Sequence, residues 1–209
     1  MKVIAIGAHC DDVEIGCGGT LLTYRDQGHE LVILTMTDSA FNSPTGVEIR
    51  LADQARAEAE DAATRLGARL IMGDHKCFEL ASARALGSEV AGIVEQVGPD
   101  LAFIHWPGDP HADHAALAAA SLHATRRVPR VLAYRTNWDT GTVPFDGRIA
   151  VDITSTVSEK IELIGCYASE NARTGGAWQE FALARSQTLG KTHGVEYAEV
   201  FEPVRYLLP

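Results

Sequence analysis

The feature that most constrains this chain is the alternation of short, continuous apolar runs with amphipathic stretches of helical length. Residues 2–8, 31–36, 69–72, 101–105 and 130–134 read as strands. Between them, 17–27, 48–66, 82–97 and 113–126 read as helices, and Gly28 and Gly67 stand where a helix stop is expected. Strands that are apolar throughout suit burial on both faces, and parallel neighbours need a crossover element long enough to return the chain. The pattern therefore predicts an α/β three-layer fold, a mostly parallel sheet flanked by helices.

Further along, 149–153 reads as another strand, Thr154 offers a helix N-cap for a helix through about 168, and 197–207 is β-rich without an assignable partner. The 209 residues carry no repeat, low-complexity tract or charged linker, so a single domain over 1–209 is expected. Lys plus Arg number 18 against 28 Asp plus Glu, a net charge of -10, which argues against nucleic-acid and anionic-membrane surfaces as partners. The N-terminal apolar run is too short for a secretion signal or a membrane span. Cys10, Cys17, Cys77 and Cys166 form no CxxC pair and no dense disulfide framework, so a reducing cytoplasm is the expected location.

Two segments carry chemistry, and each directly follows a strong strand, where the ligand crevice of such a sheet lies. The first is His9-Cys10-Asp11-Asp12, with Glu14 close behind. Adjacent carboxylates repel unless a cation or proton offsets them, and neighbours in a turn do not readily aim at one centre. One carboxylate is then free to bind a metal while the other faces the attacking water. The second segment is Asp109-Pro110-His111-Ala112-Asp113-His114. Histidines three apart share a face at a helix start, although spacing leaves open whether both bind an ion. Taken together, the two segments supply three N/O ligands for a catalytic zinc, with a carboxylate and a histidine left for proton transfer.

AHCDDVEIGCGGTL resembles the signature AHPDDxExGxGGTL of the LmbE-like (PIG-L) deacetylases, and DPHADH resembles their DxHxDH. Similar text continues through LGARL, VDIT with Lys160 after it, and YAEVFEP, so the likeness spans nearly the whole chain. The resemblance implies a Rossmann-like fold and zinc-dependent removal of N-acetyl groups from N-acetylglucosamine-type sugars. It implies one zinc per chain on His9, Asp12 and His114, with Asp11 as general base. His111 becomes the electrophilic or acidic partner that stabilises the oxyanion and helps the amine leave, and Asp113 orients or tunes it. It further implies an N-acetylated sugar or glycoconjugate as substrate and a homo-oligomer, trimer or hexamer.

Three departures stand out. Cys10 replaces the usual proline, Ala115 replaces an arginine often found after the last histidine, and an RxxE pattern on the second helix is out of phase, with Arg50, Arg56 and Glu58 nearby. Gly16, Gly18 and Gly19 suggest a phosphate loop, but Asp11 and Asp12 beside them disfavour a pyrophosphate, and the glycines are expected to serve a tight turn and close helix approach. That argues against a dinucleotide-dependent oxidoreductase. A non-catalytic metal- or sugar-binding module leaves Asp11 and His111 without a task, and an amide hydrolase acting on a group other than acetyl is the nearest alternative. His105 and His193 are expected to be structural or surface residues, and Trp106, Trp138 and Trp178 to pack in the core unless they face a sugar.

Overall fold

The structure, a computed structural model, describes residues 1–42, 45–80, 83–139, 141 and 143–208. The chain begins with β1 (Lys2–Gly7), α1 (Asp12–Asp26), β2 (Glu30–Thr37), the short β3 (Phe41–Asn42) and β4 (Glu48–Arg50), and α2 (Ala52–Leu66). It continues through β5 (Ala68–His75), α3 (Ala83–Val97), β6 (Leu101–His105), α4 (Ala112–Ala124) and β7 (Arg130–Tyr134). The last part holds β8 (Ile149–Asp152), α5 (Val157–Gly165), α6 (Ala168–Thr174), α7 (Ala177–His193) and β9 (Ala198–Tyr206).

The main sheet has seven strands in the order β5-β2-β1-β6-β7-β9-β8. The first five are mutually parallel, and β9 runs antiparallel between β7 and β8. Apolar side chains alternate between two cores. Ile4, Ile6, Val32, Leu34 and Ile104 face α3 and α4, while Val3, Ala5, Leu31, Ile33 and Phe103 face the α1 side. Both faces being covered is why these strands are apolar at every position. The chain leaves β1 toward β2 and later returns to the other side of β1 as β6. That reversal opens a crevice beyond the carboxyl ends of β1 and β6, where both chemistry-bearing segments lie.

The fold class is as the pattern predicts, and the differences are local. Helix α1 starts at Asp12, so the acidic turn is itself the helix entry, and the glycines lie inside the helix rather than in a turn. Residues 48–50 pair with β3 before α2 begins. The helix expected over 82–97 has its first residue outside those described. Thr154 does not cap α5: its hydroxyl donates to Asp152 Oδ1 at 2.6 Å and accepts from the Tyr197 amide at 3.2 Å. The tail finds its partners in β7 and β8. Helix α7 has no counterpart in the apolar pattern because its buried stripe is Ala182, Ser186 and Gly190, too small and narrow to register.

Gly16 and Gly19 do permit close approach. A Cβ on Gly16 would stand 2.1 Å from the Tyr134 ring, and one on Gly19 would stand 2.8 Å from Ile153. Gly16→Ala separates two effects of opposite sign. Helix propensity alone predicts a gain of about 1 kcal/mol. Crowding against the fully buried Tyr134 predicts a net loss of about 1–3 kcal/mol, which urea unfolding measures.

Candidate active site

The loop after β1 is held tightly by its neighbours. The Ala8 carbonyl accepts from the Thr37 amide and hydroxyl at 3.0 and 2.8 Å, and the Cys10 amide donates to Ser39 Oγ at 2.7 Å. To enter α1 from this loop, Asp11 adopts φ 102°, a left-handed conformation that costs a non-glycine residue energy and clusters at functional sites. The turn sends the two aspartates in different directions. Asp12 is buried, with Oδ2 accepting from the His9 amide at 2.8 Å, whereas Asp11 is only partly covered and faces the cleft. At the other loop, Asp109 Oδ1 accepts from the His111 amide at 2.9 Å, and His111 caps α4 by accepting from the Asp113 amide at Nδ1, 3.2 Å away.

His9, Asp12 and His114 meet across these loops. His9 Nδ1 lies 3.2 Å from His114 Nε2 and 3.4 Å from Asp12 Oδ2, and His114 Nε2 lies 3.2 Å from Asp12 Oδ1. Donors about 2.0–2.1 Å from a tetrahedral zinc stand roughly 3.3 Å apart, so this spacing fits such an ion. The far ring nitrogens fit as well. His9 Nε2 is 2.9 Å from Asp113 Oδ2, and His114 Nδ1 is 3.2 Å from Asp109 Oδ1. A carboxylate on the distal nitrogen is the usual way to fix the tautomer and orientation of a metal-binding imidazole. Ring nitrogens of His9, His111 and His114 also lie within 4.8 Å of one another, as do the donors of Asp12, His105 and His114.

Charge at the site is arranged to hold a cation. Burial lowers the His9 pKa, but hydrogen bonds to Asp113 and Asp12 outweigh it and leave it raised to about 9. His114 is likewise opposed by burial and raised to about 10, by the charge of Asp12 and the hydrogen bond to Asp109. In both cases a proton supplies positive charge that a divalent ion would supply instead. Asp11 is pushed well up by burial and then by the neighbouring Asp12 charge, against the pull of Arg50. His111 moves down through burial and the charges of His114 and His9. A neutral His111 whose Nδ1 accepts a hydrogen bond carries its proton on Nε2.

Asp113 acts on His111 by charge, which raises the imidazole pKa against burial. Its carboxylate is spent on His9 and on the amides of Phe78 and Leu80, at 2.7 and 3.4 Å, and its hydrogen-bonded link to His111 runs through the backbone. Cys10 is buried among Ala55, Ala59 and Tyr167, and burial pushes its thiol up to about 12. Glu14 is buried, and burial raises it to about 7. His193 lies exposed at the end of α7, and Arg56 is exposed on α2, while Glu58 accepts from Ser169.

Sequence reasoning missed several groups that the fold brings in. His105, fully buried, stacks on His114 at 4.1 Å and is held down near 4 by burial and by the His114 charge. Asn137 donates to Asp109 Oδ1 at 3.1 Å. Arg50, buried at the end of β4, donates from Nε to the Ser39 carbonyl at 2.8 Å, and its Nη1 is ion-paired with the buried Glu170 at 3.6 Å. His105 closes β6 and Asn137 lies just past the end of β7, so nearness to a strand end was the available signal for both. Arg50 stood near the out-of-phase RxxE pattern, but the turn that carries it to the cleft is tertiary.

The cleft above these groups has a volume of about 330 Å³. Its inner end holds His9, Asp12 and His114, and Arg50, Phe78 and Trp138 are among the residues of its wall.

The chain is similar to known proteins in both sequence and fold. The family model described as PIG-L, GlcNAc-PI de-N-acetylase, matches residues 4–125. The uncharacterized deacetylase YaiS of Escherichia coli strain K12 is 31% identical over 147 residues, covering 64% of this chain and 73% of that protein. The diacetylchitobiose deacetylase of Thermococcus kodakarensis is 23% identical over 219 residues, covering 95% of this chain and 81% of its own length. In fold, the N,N'-diacetylchitobiose deacetylase of Pyrococcus horikoshii superposes with a TM-score of 0.82 at 23% identity, covering 97% of this chain and 83% of that one. With both signature segments on one crevice and more than half of the chain matched, this protein belongs to the PIG-L (LmbE-like) family of deacetylases.

Proposed function

We propose that the protein hydrolyses the N-acetyl amide of an N-acetylglucosamine-type sugar or glycoconjugate, with one zinc ion on His9, Asp12 and His114. The supporting observation is the 3.2–3.4 Å donor triangle whose two imidazoles each have a carboxylate on the distal nitrogen. When bound, the zinc polarises the amide carbonyl and acidifies the attacking water. Asp11 takes the water's proton, and its raised pKa makes it a stronger acceptor than an ordinary aspartate. His111 donates from Nε2 to the carbonyl oxygen as negative charge develops there. Asp113 and Asp109 hold His9 and His114 in the tautomers that ligation needs. As the tetrahedral species collapses, the proton taken by Asp11 passes to the departing nitrogen, the C–N bond breaks, and the amine leaves with acetic acid, which ionises to acetate. Arg50, in the cleft wall and ion-paired with the buried Glu170, presents its guanidinium charge to a substrate oxygen.

Acetate release from a panel of N-acetylated sugars by zinc-loaded protein tests the reading, and retention of full activity after chelation would sink it. Proton release supplies a second readout. His9 and His114 must give up protons to bind zinc, so metal uptake at pH 7 is expected to release up to about two protons. Apparent zinc affinity should rise with pH until about 9–10, the range in which these imidazoles lose their protons unaided. Isothermal titration in buffers of different ionisation enthalpy measures this, and pH-independent affinity would count against both ligands. No helix among the described residues is long and apolar enough to cross a membrane. A cytoplasmic location and a trimeric or hexameric assembly complete the proposal, and sedimentation tests the assembly.

A further inference from the structure

The cleft changes character from its inner end to its mouth. The group to be hydrolysed has to reach His9, Asp12 and His114, which lie at the inner end and are buried or nearly so. At about 330 Å³ the cleft is near the lower end of the roughly 300–1,000 Å³ range of small-ligand sites. It therefore encloses little more than one sugar ring with its acetamide, and a larger substrate extends over the rim. That rim is aromatic. Trp138 and Phe78 line the cleft yet are 43% and 70% exposed, whereas Trp106 is buried in the core with 6% exposure.

The rim aromatics are also preformed. Trp138 and Trp178 stack face to face, with centroids 3.9 Å apart and planes 13° apart. Phe181 braces both edge-on at 5.5 and 6.0 Å, and Arg135 donates to the Trp138 carbonyl at 3.3 Å. A large flat apolar surface held open to water at the mouth of a polar cleft is complementary to a second flat ring. Asn137 and Asp139, the neighbours of Trp138 in sequence, line the same cleft.

We infer that Trp138, supported by Trp178, is a stacking platform for a second ring attached to the N-acetylated sugar. The inference rests on the deacetylase reading and deepens it. The substrate class is an N-acetylglucosaminide bearing a ring with a flat apolar face, either an aromatic aglycone or a neighbouring pyranose.

Acetate release is compared for the methyl β-glycoside, the phenyl β-glycoside and the β-1,4-linked disaccharide of N-acetylglucosamine. A ring-bearing compound is expected to exceed the methyl glycoside in kcat/KM by up to about ten-fold, the worth of one good stacking contact. An advantage for phenyl alone identifies an aromatic aglycone, and an advantage for the disaccharide alone identifies a second sugar. In Trp138→Ala the ratio of ring-bearing to methyl substrate should collapse toward one, while Trp138→Phe keeps most of it. Equal rates for all three compounds in the natural protein, or an advantage that survives Trp138→Ala, overturns the platform.

If none of the three is hydrolysed, the deacetylase reading fails by itself, and the platform is decided by indole fluorescence. A saturable emission change with a ring-bearing glycoside but not with the methyl glycoside, lost in Trp138→Ala, supports it. Indistinguishable responses to all three compounds overturn it.

Discussion

Asp11→Asn is expected to keep its metal and lose turnover by about 10²–10⁴-fold, the usual cost of removing a general base. Asp12→Asn is expected to lose the metal, because a neutral amide replaces an anionic donor that sits 3.2 Å from His114 Nε2 and 3.4 Å from His9 Nδ1. The contrast is informative because the residues share charge and size and are adjacent. A generic acidic turn predicts similar consequences for both. The Asp11 variant should also fold, since asparagine tolerates the left-handed backbone at φ 102° better than most residues. Zinc affinity and acetate release measured in parallel decide the roles. If Asp11→Asn sheds the ion while Asp12→Asn retains it, the roles are exchanged, and near-normal activity in both removes the centre from this segment.

The second large effect separates two histidines three residues apart. His114→Ala should abolish tight zinc binding, because it removes the ring nitrogen that stands 3.2 Å from both His9 Nδ1 and Asp12 Oδ1. His111→Ala should retain the ion and lose about 10²–10³-fold in kcat, the typical cost of one oxyanion donor. Its position at the N-terminus of α4 favours a neutral imidazole, as does the downward shift of its pKa. His111 therefore acts through an N–H donor more than through positive charge. Elemental analysis of the two purified variants gives the answer. Equal loss of metal from both would make His111 a ligand, alongside His9 and His114.

How much of this was legible in the sequence varies from residue to residue. The apolar runs specify β1, β2, β6 and β7, and their continuity specifies burial on both faces, because each is a local pattern that requires a particular covering. Strand-end placement then puts His9–Asp12 and His111–His114 on a common rim through topology alone. Helix α7 was not legible, since a stripe of alanine, serine and glycine has little hydrophobic contrast. The partners of β9 were not legible either, because strand order depends on contacts between distant segments.

Within the site, residue type and spacing determined the chemistry available: histidines and carboxylates in ligand-like numbers, with two groups to spare. Tertiary structure decided where those groups point. Asp113 turned to His9, 104 positions away, because the first turn of α4 aims its side chain across the crevice rather than back at its neighbour. His105 and Asn137 joined the site, and Cys10 left it for an apolar cluster. Trp106 went to the core while Trp138 stayed at the mouth. Sequence periodicity carries the identity of a face but no distance between faces. Side-chain direction is set by backbone angles and by packing against residues far away in the chain, so these assignments exist only once the sheet has closed around them.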